Sequence, residues 1–97
     1  MSITTITRFH AAAGQEGALL ELQSEGRRRM LAAEGCESFE ILRDQADSRS
    51  SAFVQTWSTR EAHDDAFGDL ILASGHLEKV LARLDEGVVQ TFYEVVS

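Results

Sequence analysis

Three histidines, one cysteine, one tryptophan and one tyrosine are the side chains of this sequence best suited to chemistry. His76 stands in the string Ser74-Gly75-His76, where an apolar helical pattern begins. An imidazole there is a candidate proton acceptor because it titrates near neutral pH, and it is preferred over His10 and His63. The competing reading is a capping or packing histidine. His63 lies in Glu61-Ala62-His63-Asp64-Asp65, a string with the composition of a metal site but without the two-histidine i, i+4 spacing of the zinc-protease helix; it reads as a solvated helix face. Trp57 ends a strand-like run, where an indole anchors a core and can also wall a pocket. Cys36 falls in a strand pattern with no histidine near it in sequence and reads as a core thiol. Arg27, Arg28 and Arg29 are consecutive, so on a helix they fan out by about 100° each and cannot converge on one phosphate. Glu25, four residues before Arg29, is the better partner. Gly14 and Gly17 lack the third glycine and the strand-to-helix setting of a dinucleotide loop.

The chain around these residues bounds what they can do. Its 97 residues suffice for one hydrophobic core, so residues 1–97 are read as one domain. An apolar fraction of 43% and a charged fraction of 26% are those of an ordinary globular protein. Sixteen acidic against nine basic side chains give a formal charge of −7, which repels phosphate backbones and anionic lipid and argues against nucleic-acid or membrane-surface partners. A lone cysteine forms no internal disulfide, and no stretch approaches the ~18 apolar residues of a membrane span, so a cytoplasmic location is expected.

Strand and helix periods alternate along the chain. Ile3 to His10 is rich in threonine, isoleucine and phenylalanine and reads as a strand. From Gln15, Leu19, Leu22, Gly26, Met30 and Ala33 recur at spacings of three and four, the stripe of a helix that Gly35 closes. Gly26 inside it points to close packing against a sheet. Cys36 to Asp44 alternates as a second strand, the polar run Asp47 to Ser51 is a loop, and Ala52 to Trp57 is a third strand paired with the second as a hairpin. Ser58 and Glu61 have the spacing of a capping box and start a helix to about Gly68; a further helix starts at Ser74 and ends at Gly87. Val88 to Val96 is the last strand. The order β-α-β-β-α-β is that of the ferredoxin-like α+β fold, a four-stranded antiparallel sheet with helices on one face. The second and last strands carry apolar side chains on both faces, so the bare face of the sheet exposes an apolar patch that a second copy can cover.

Several strings in this order resemble the antibiotic biosynthesis monooxygenase family, a dimeric α+β barrel group. They are Ala13-Gly14 before the long helix, Gly35-Cys36-Glu37-Ser38-Phe39-Glu40-Ile41-Leu42-Arg43-Asp44, Phe53-Val54-Gln55-Thr56-Trp57-Ser58-Thr59-Arg60-Glu61-Ala62, and Ser74-Gly75-His76, together spanning nearly the whole chain. The resemblance implies a homodimer joined through the open sheet faces. It also implies an oxidation of phenols, hydroquinones or related small aromatic molecules by dioxygen with no bound metal or flavin, or a non-catalytic binding or assembly module of the same fold. By the same resemblance His76 matches a recurring histidine and is the expected base, and Trp57 matches the family's tryptophan as a pocket wall. Arg43 and Tyr93 are expected to orient a phenolate, and Phe67 to contact substrate. The sequence also departs from the family. It has no asparagine, which argues against haem degradation by the asparagine-dependent route. Ala66 and Phe67 stand where many members have a histidine, and Gln55 replaces a glutamate two residues before the tryptophan.

Overall fold

A computed structural model describes all 97 residues. Strand β1 (Ile3–His10) leads into helix α1 (Glu16–Leu31), followed by β2 (Cys36–Arg43) and β3 (Ser50–Trp57). Helix α2 (Arg60–Ala66) passes without a break into a π-helical segment (Phe67–Leu72), and helix α3 (His76–Leu81) precedes β4 (Val89–Glu94). The four strands form one antiparallel sheet in the order β2-β3-β1-β4. This is the ferredoxin-like α+β arrangement expected from the element order.

Strand alternation sends Thr5, Thr7 and Phe9 of β1, Gln55 and Trp57 of β3 and Phe39 of β2 under the helices, where all are buried. The core has two parts. Met30, Phe39, Trp57, Ala66 and Ile71 form one, and Phe9, Ala11, Leu19 and Val80 the other. Phe53 joins them, its ring edge-on to Phe9 at 4.7 Å and to Phe39 at 4.9 Å. Each such aromatic pair adds about 0.5–1.5 kcal/mol beyond area burial.

Several local expectations are corrected. Helix α2 begins at Arg60, so its cap is Thr59 and not Ser58; the Thr59 hydroxyl accepts from the Ala62 N–H at 3.0 Å. Helix α1 ends at Leu31, four residues before Gly35, and Gly35 instead makes the turn into β2 with φ +92°. Gly26 meets a helix and not the sheet: a Cβ there would lie 3.3 Å from His76 Nε2. The helix expected to stop near Gly68 runs through it in π-helical form, with Ala73 N–H bonded to Gly68 O at 3.0 Å, and the break comes at Gly75, where φ is +76°. Gln23 and not Leu22 takes the buried slot on α1, because its amide donates to Ser51 Oγ of β3 at 2.9 Å. The Glu25–Arg29 pair forms at 2.7 Å, and Arg29 also donates to Leu70 O and Ser74 Oγ, tying α1 to the π-helical segment.

Candidate functional site

Between the sheet and the helices lies a cavity of about 90 Å³. Its walls are mostly apolar, with Phe9, Phe39 and Phe53 from the sheet and Met30, Phe67, Ile71 and Leu77 from the helices. Five polar side chains also reach it: Thr7, Gln55, Gln90, His63 and His76. A few polar groups set in an apolar wall is the usual composition of a small-molecule site. Larger hollows exist on the surface, one of about 640 Å³ lined by residues such as Arg29, Glu61 and Asp65, but it is open to solvent and exposes its charged groups to water.

Both cavity histidines are buried, His63 at 3% exposure and His76 at 4%. Their hydrogen bonds differ. His76 Nε2 is 2.9 Å from Leu22 O on α1, and a carbonyl only accepts, so Nε2 carries the proton and donates. His76 Nδ1 lies 3.7 Å from Glu25 Oε2, too long for a hydrogen bond and an ion-pair contact only when the ring is charged. The ring thus latches α3 to α1 across Gly26, whose lack of a side chain leaves room for it.

His63 Nδ1 is 2.9 Å from Asp64 Oδ1. The His63 hydrogen bond, joined by Arg60 at 3.1 Å, holds the Asp64 carboxyl below the usual carboxylate range. An ionised carboxylate only accepts, so Nδ1 carries the ring proton and the Nε2 lone pair is left over. Nε2 is buried and has no partner, and the buried Thr7 hydroxyl in the same cavity has none either. Three aromatic rings surround the imidazole: Trp57 edge-on at 5.6 Å, Phe67 nearly parallel at 5.9 Å and Phe92 edge-on at 5.1 Å. Arg60 closes the outside by stacking 3.5 Å over the Phe92 ring.

The other residues singled out from sequence are spread more widely. Phe67 lines the cavity. Trp57 is fully buried beside it, and its indole N–H donates to Gln55 Oε1 at 2.9 Å, which fixes the amide of a cavity residue. Arg43 is exposed at the end of β2, and Tyr93, 48% exposed on β4, is not among the cavity-lining residues. Cys36 is partly buried against the core, and burial pushes its thiol up, which keeps it protonated and inert. His63 is the residue that sequence reasoning passed over. A signal was present: His63, Ala66, Phe67, Leu70 and Ile71 follow the i, i+3, i+4, i+7, i+8 face of a helix, and His63 is the one polar side chain in it.

A second cluster gathers at one end of the sheet. His10, Asp85 and Glu86 bring ligand-type atoms within 4.8 Å of one another. Both His10 nitrogens are already engaged there, Nδ1 by Asp85 at 2.6 Å and Nε2 by Asp47 at 3.3 Å, and Arg49 also bonds Asp85. This is an ion-pair network that ties the end of β1 to the β2–β3 and α3–β4 loops.

Comparison with known proteins agrees with this architecture. The sequence profile described as antibiotic biosynthesis monooxygenase matches residues 2–68, more than half of the chain. No curated protein sequence matches the chain. Among solved structures, the fold is similar to Rv0793 from Mycobacterium tuberculosis, with TM-score 0.90 at 18% identity over 100% of this chain and 97% of that one. It is also similar to a conserved protein from Methanosarcina mazei Go1, with TM-score 0.90 at 12% identity over 97% and 92%. SnoaB, a cofactor-independent oxygenase from Streptomyces nogalater, matches with TM-score 0.86 at 14% identity over 99% and 94%. At such identities these likenesses speak to fold alone, and the profile match carries the assignment: the chain belongs to the antibiotic biosynthesis monooxygenase family.

Proposed function

We propose that this protein is a cofactor-independent monooxygenase acting on a small aromatic or quinol-type molecule held in the cavity between sheet and helices. The observation that carries the reading is the cavity itself, a largely apolar space with three phenylalanines in its sheet wall, lined by His63 and Thr7, whose Nε2 and hydroxyl are buried without a partner. Family membership and the likeness to a cofactor-independent oxygenase support it.

The chemistry asks little of the protein beyond this. Removing a proton from a phenol raises the energy of its electrons, so the phenolate itself reduces dioxygen. A hydroquinone exchanges one ring C–H for C–O and is oxidised to a hydroxyquinone, the second oxygen of dioxygen leaving as water; an activated ring methylene exchanges its two hydrogens for one oxygen atom, and the other oxygen again leaves as water. Neither route needs an outside reductant. The site supplies a base, a low-polarity wall and hydrogen-bond donors to developing oxyanions, for which Thr7, Gln55 and Gln90 are placed. The cavity is smaller than the ~150 Å³ that admits benzene, so a one-ring substrate enters with an outward shift of part of the wall. The active form in this reading is a homodimer that covers the open sheet face, and no helix is long and apolar enough to cross a membrane.

Oxygen uptake with a panel of hydroquinones and naphthols, run with chelator present, tests the proposal. Uptake that saturates with substrate supports it. No uptake across the panel turns the assignment toward a non-catalytic binding module of the same fold.

A further inference from the structure

His63 differs from every other histidine of the chain in having one buried ring nitrogen with no partner while the other is bonded to an exposed carboxylate. Its Nε2 is buried in the cavity with no partner, while its Nδ1 is bonded at 2.9 Å to Asp64, a carboxylate that is 53% exposed. His76, the other imidazole of the cavity, has its Nε2 proton committed to Leu22 O and offers only Nδ1, which faces Glu25 at 3.7 Å. His10 lies outside the cavity, with both nitrogens engaged by Asp47 and Asp85.

We propose that His63 Nε2 is the proton acceptor of this cavity, with Asp64 as the positioning residue that fixes its tautomer, and that the ligand it serves is a phenol. The assignment rests on reading the cavity as an aromatic site. The hydrogen-bond network carries it. An Asp64 carboxylate held by His63 and Arg60 demands a donor at Nδ1, which leaves the lone pair at Nε2 pointing where a ligand would lie. Trp57, Phe67 and Phe92 fix the ring plane and keep water from it, so the lone pair is neither solvated nor spent on the protein. The titratable or charged groups near the ring are few: Asp64 and Arg60 on its own helix and His76 across the cavity on α3, while the strands bring Thr7, Gln55, Trp57, Gln90 and Phe92, all uncharged.

The step itself moves one proton. The phenol O–H bond breaks, the electron pair stays on oxygen, and an Nε2–H bond forms, giving an imidazolium beside the Asp64 carboxylate. When the phenolate passes an electron to dioxygen, the superoxide so formed takes the proton back from Nε2, and the ring ends as it began. An imidazolium paired with a carboxylate is an arrangement that general bases use to stay competent inside an apolar site.

A nitrophenol, coloured only when ionised, gives a direct readout that does not depend on turnover. In the wild-type protein the bound dye is expected to ionise at a pH where free dye does not. In His63→Gln, dye binding measured by equilibrium dialysis is expected to persist while the colour is lost, and oxygen uptake with an active hydroquinone to fall by about 100-fold or more. Asp64→Asn is expected to keep the colour in part and to move the pH profile. Because a buried substitution can unfold the protein, nitrogen-15 NMR of wild-type His63 stands beside it, and the expected tautomer has its proton on Nδ1. Three results overturn the assignment: a proton on Nε2, full colour in a folded His63→Gln, or unchanged uptake in that variant. Failure of wild-type protein to bind any phenol overturns the aromatic reading of the cavity and this assignment with it, whereas binding with His63-independent ionisation overturns the assignment alone.

Discussion

The two cavity histidines show how far residue chemistry can be read before hydrogen bonds are known. His76 stood out as an imidazole where a helical pattern begins, and His76 and Phe67 as pocket candidates through the family resemblance; both side chains line the cavity. His63 was hidden by its neighbours. Between Glu61 and Asp65 its string looks solvated, and the apolar face it shares with Ala66, Phe67, Leu70 and Ile71 shows only when the helix is continued past Gly68; position 63 turns inward while 61, 64 and 65 turn out. Arg43 and Tyr93 depend on strand alternation at element ends, which sequence does not settle. At this same scale His10 gives a prediction. Its hydrogen bond to Asp85, with that to Asp47, raises its pKa above 6.5. The Asp85 carboxyl is lowered by His10, and that of Asp47 by the Arg49 backbone N–H with Ser50 and His10. A raised histidine contributes stability that is complete below its unfolded value and is lost as pH rises through its folded one; the lowered carboxylates contribute above their ordinary 3.8 and lose it as pH falls. The difference in urea midpoint between wild type and His10→Gln should therefore shrink as pH rises above 6.5, and a pH-independent difference would contradict the network.

Elements were legible to the extent that period and composition agree. Threonine, isoleucine and phenylalanine at Ile3–His10 gave β1 its full length, and the stripe through Leu19, Gly26 and Met30 gave α1. Ends were not, because a cap is chosen by which turn closes first. Ser58 and Thr59 both offer a hydroxyl, and the Ser58 N–H bonds Gly35 O at 2.8 Å, which keeps Ser58 in the strand exit and leaves Thr59 to cap. The π-helical segment had no sequence signature at all, yet it carries Phe67 and Ile71 into the cavity wall. Single-turn π segments are frequent at functional sites. Gly35 is the junction on which the long helix, β2 and α2 meet. With φ +92° and an added Cβ only 2.7 Å from Ala62 Cβ, Gly35→Ala combines backbone strain with a clash and should destabilise by about 2–4 kcal/mol in urea titration. A loss under about 0.5 kcal/mol would mean that the turn is not held as described.

The molecule as a whole leaves one face of its sheet without a covering layer. Ile6 and Val54 pair at its centre, with Thr4 and Thr56 bonded side chain to side chain at 2.9 Å, and Leu42, Val89 and Tyr93 stand exposed around them. The face is therefore mixed and not purely apolar, the threonines being as much a part of it as the aliphatic residues. In the proposed homodimer, Ile6→Lys would bury an unpaired charge at a cost of several kcal/mol. Analytical ultracentrifugation at micromolar concentration should find wild-type dimers and Ile6→Lys monomers; a wild-type monomer would contradict the assembly. The cavity lies on the opposite side of the sheet, so the reading of the site can be tested apart from the assembly. Chemical-shift mapping by NMR with a small hydroquinone does this most directly. The account predicts perturbations gathered on His63, Phe67, Ile71, Leu77 and Gln90 around the cavity between sheet and helices. Perturbations gathered instead on the open hollow at Arg29, Glu61 and Asp65, or on the bare face of the sheet, would contradict it.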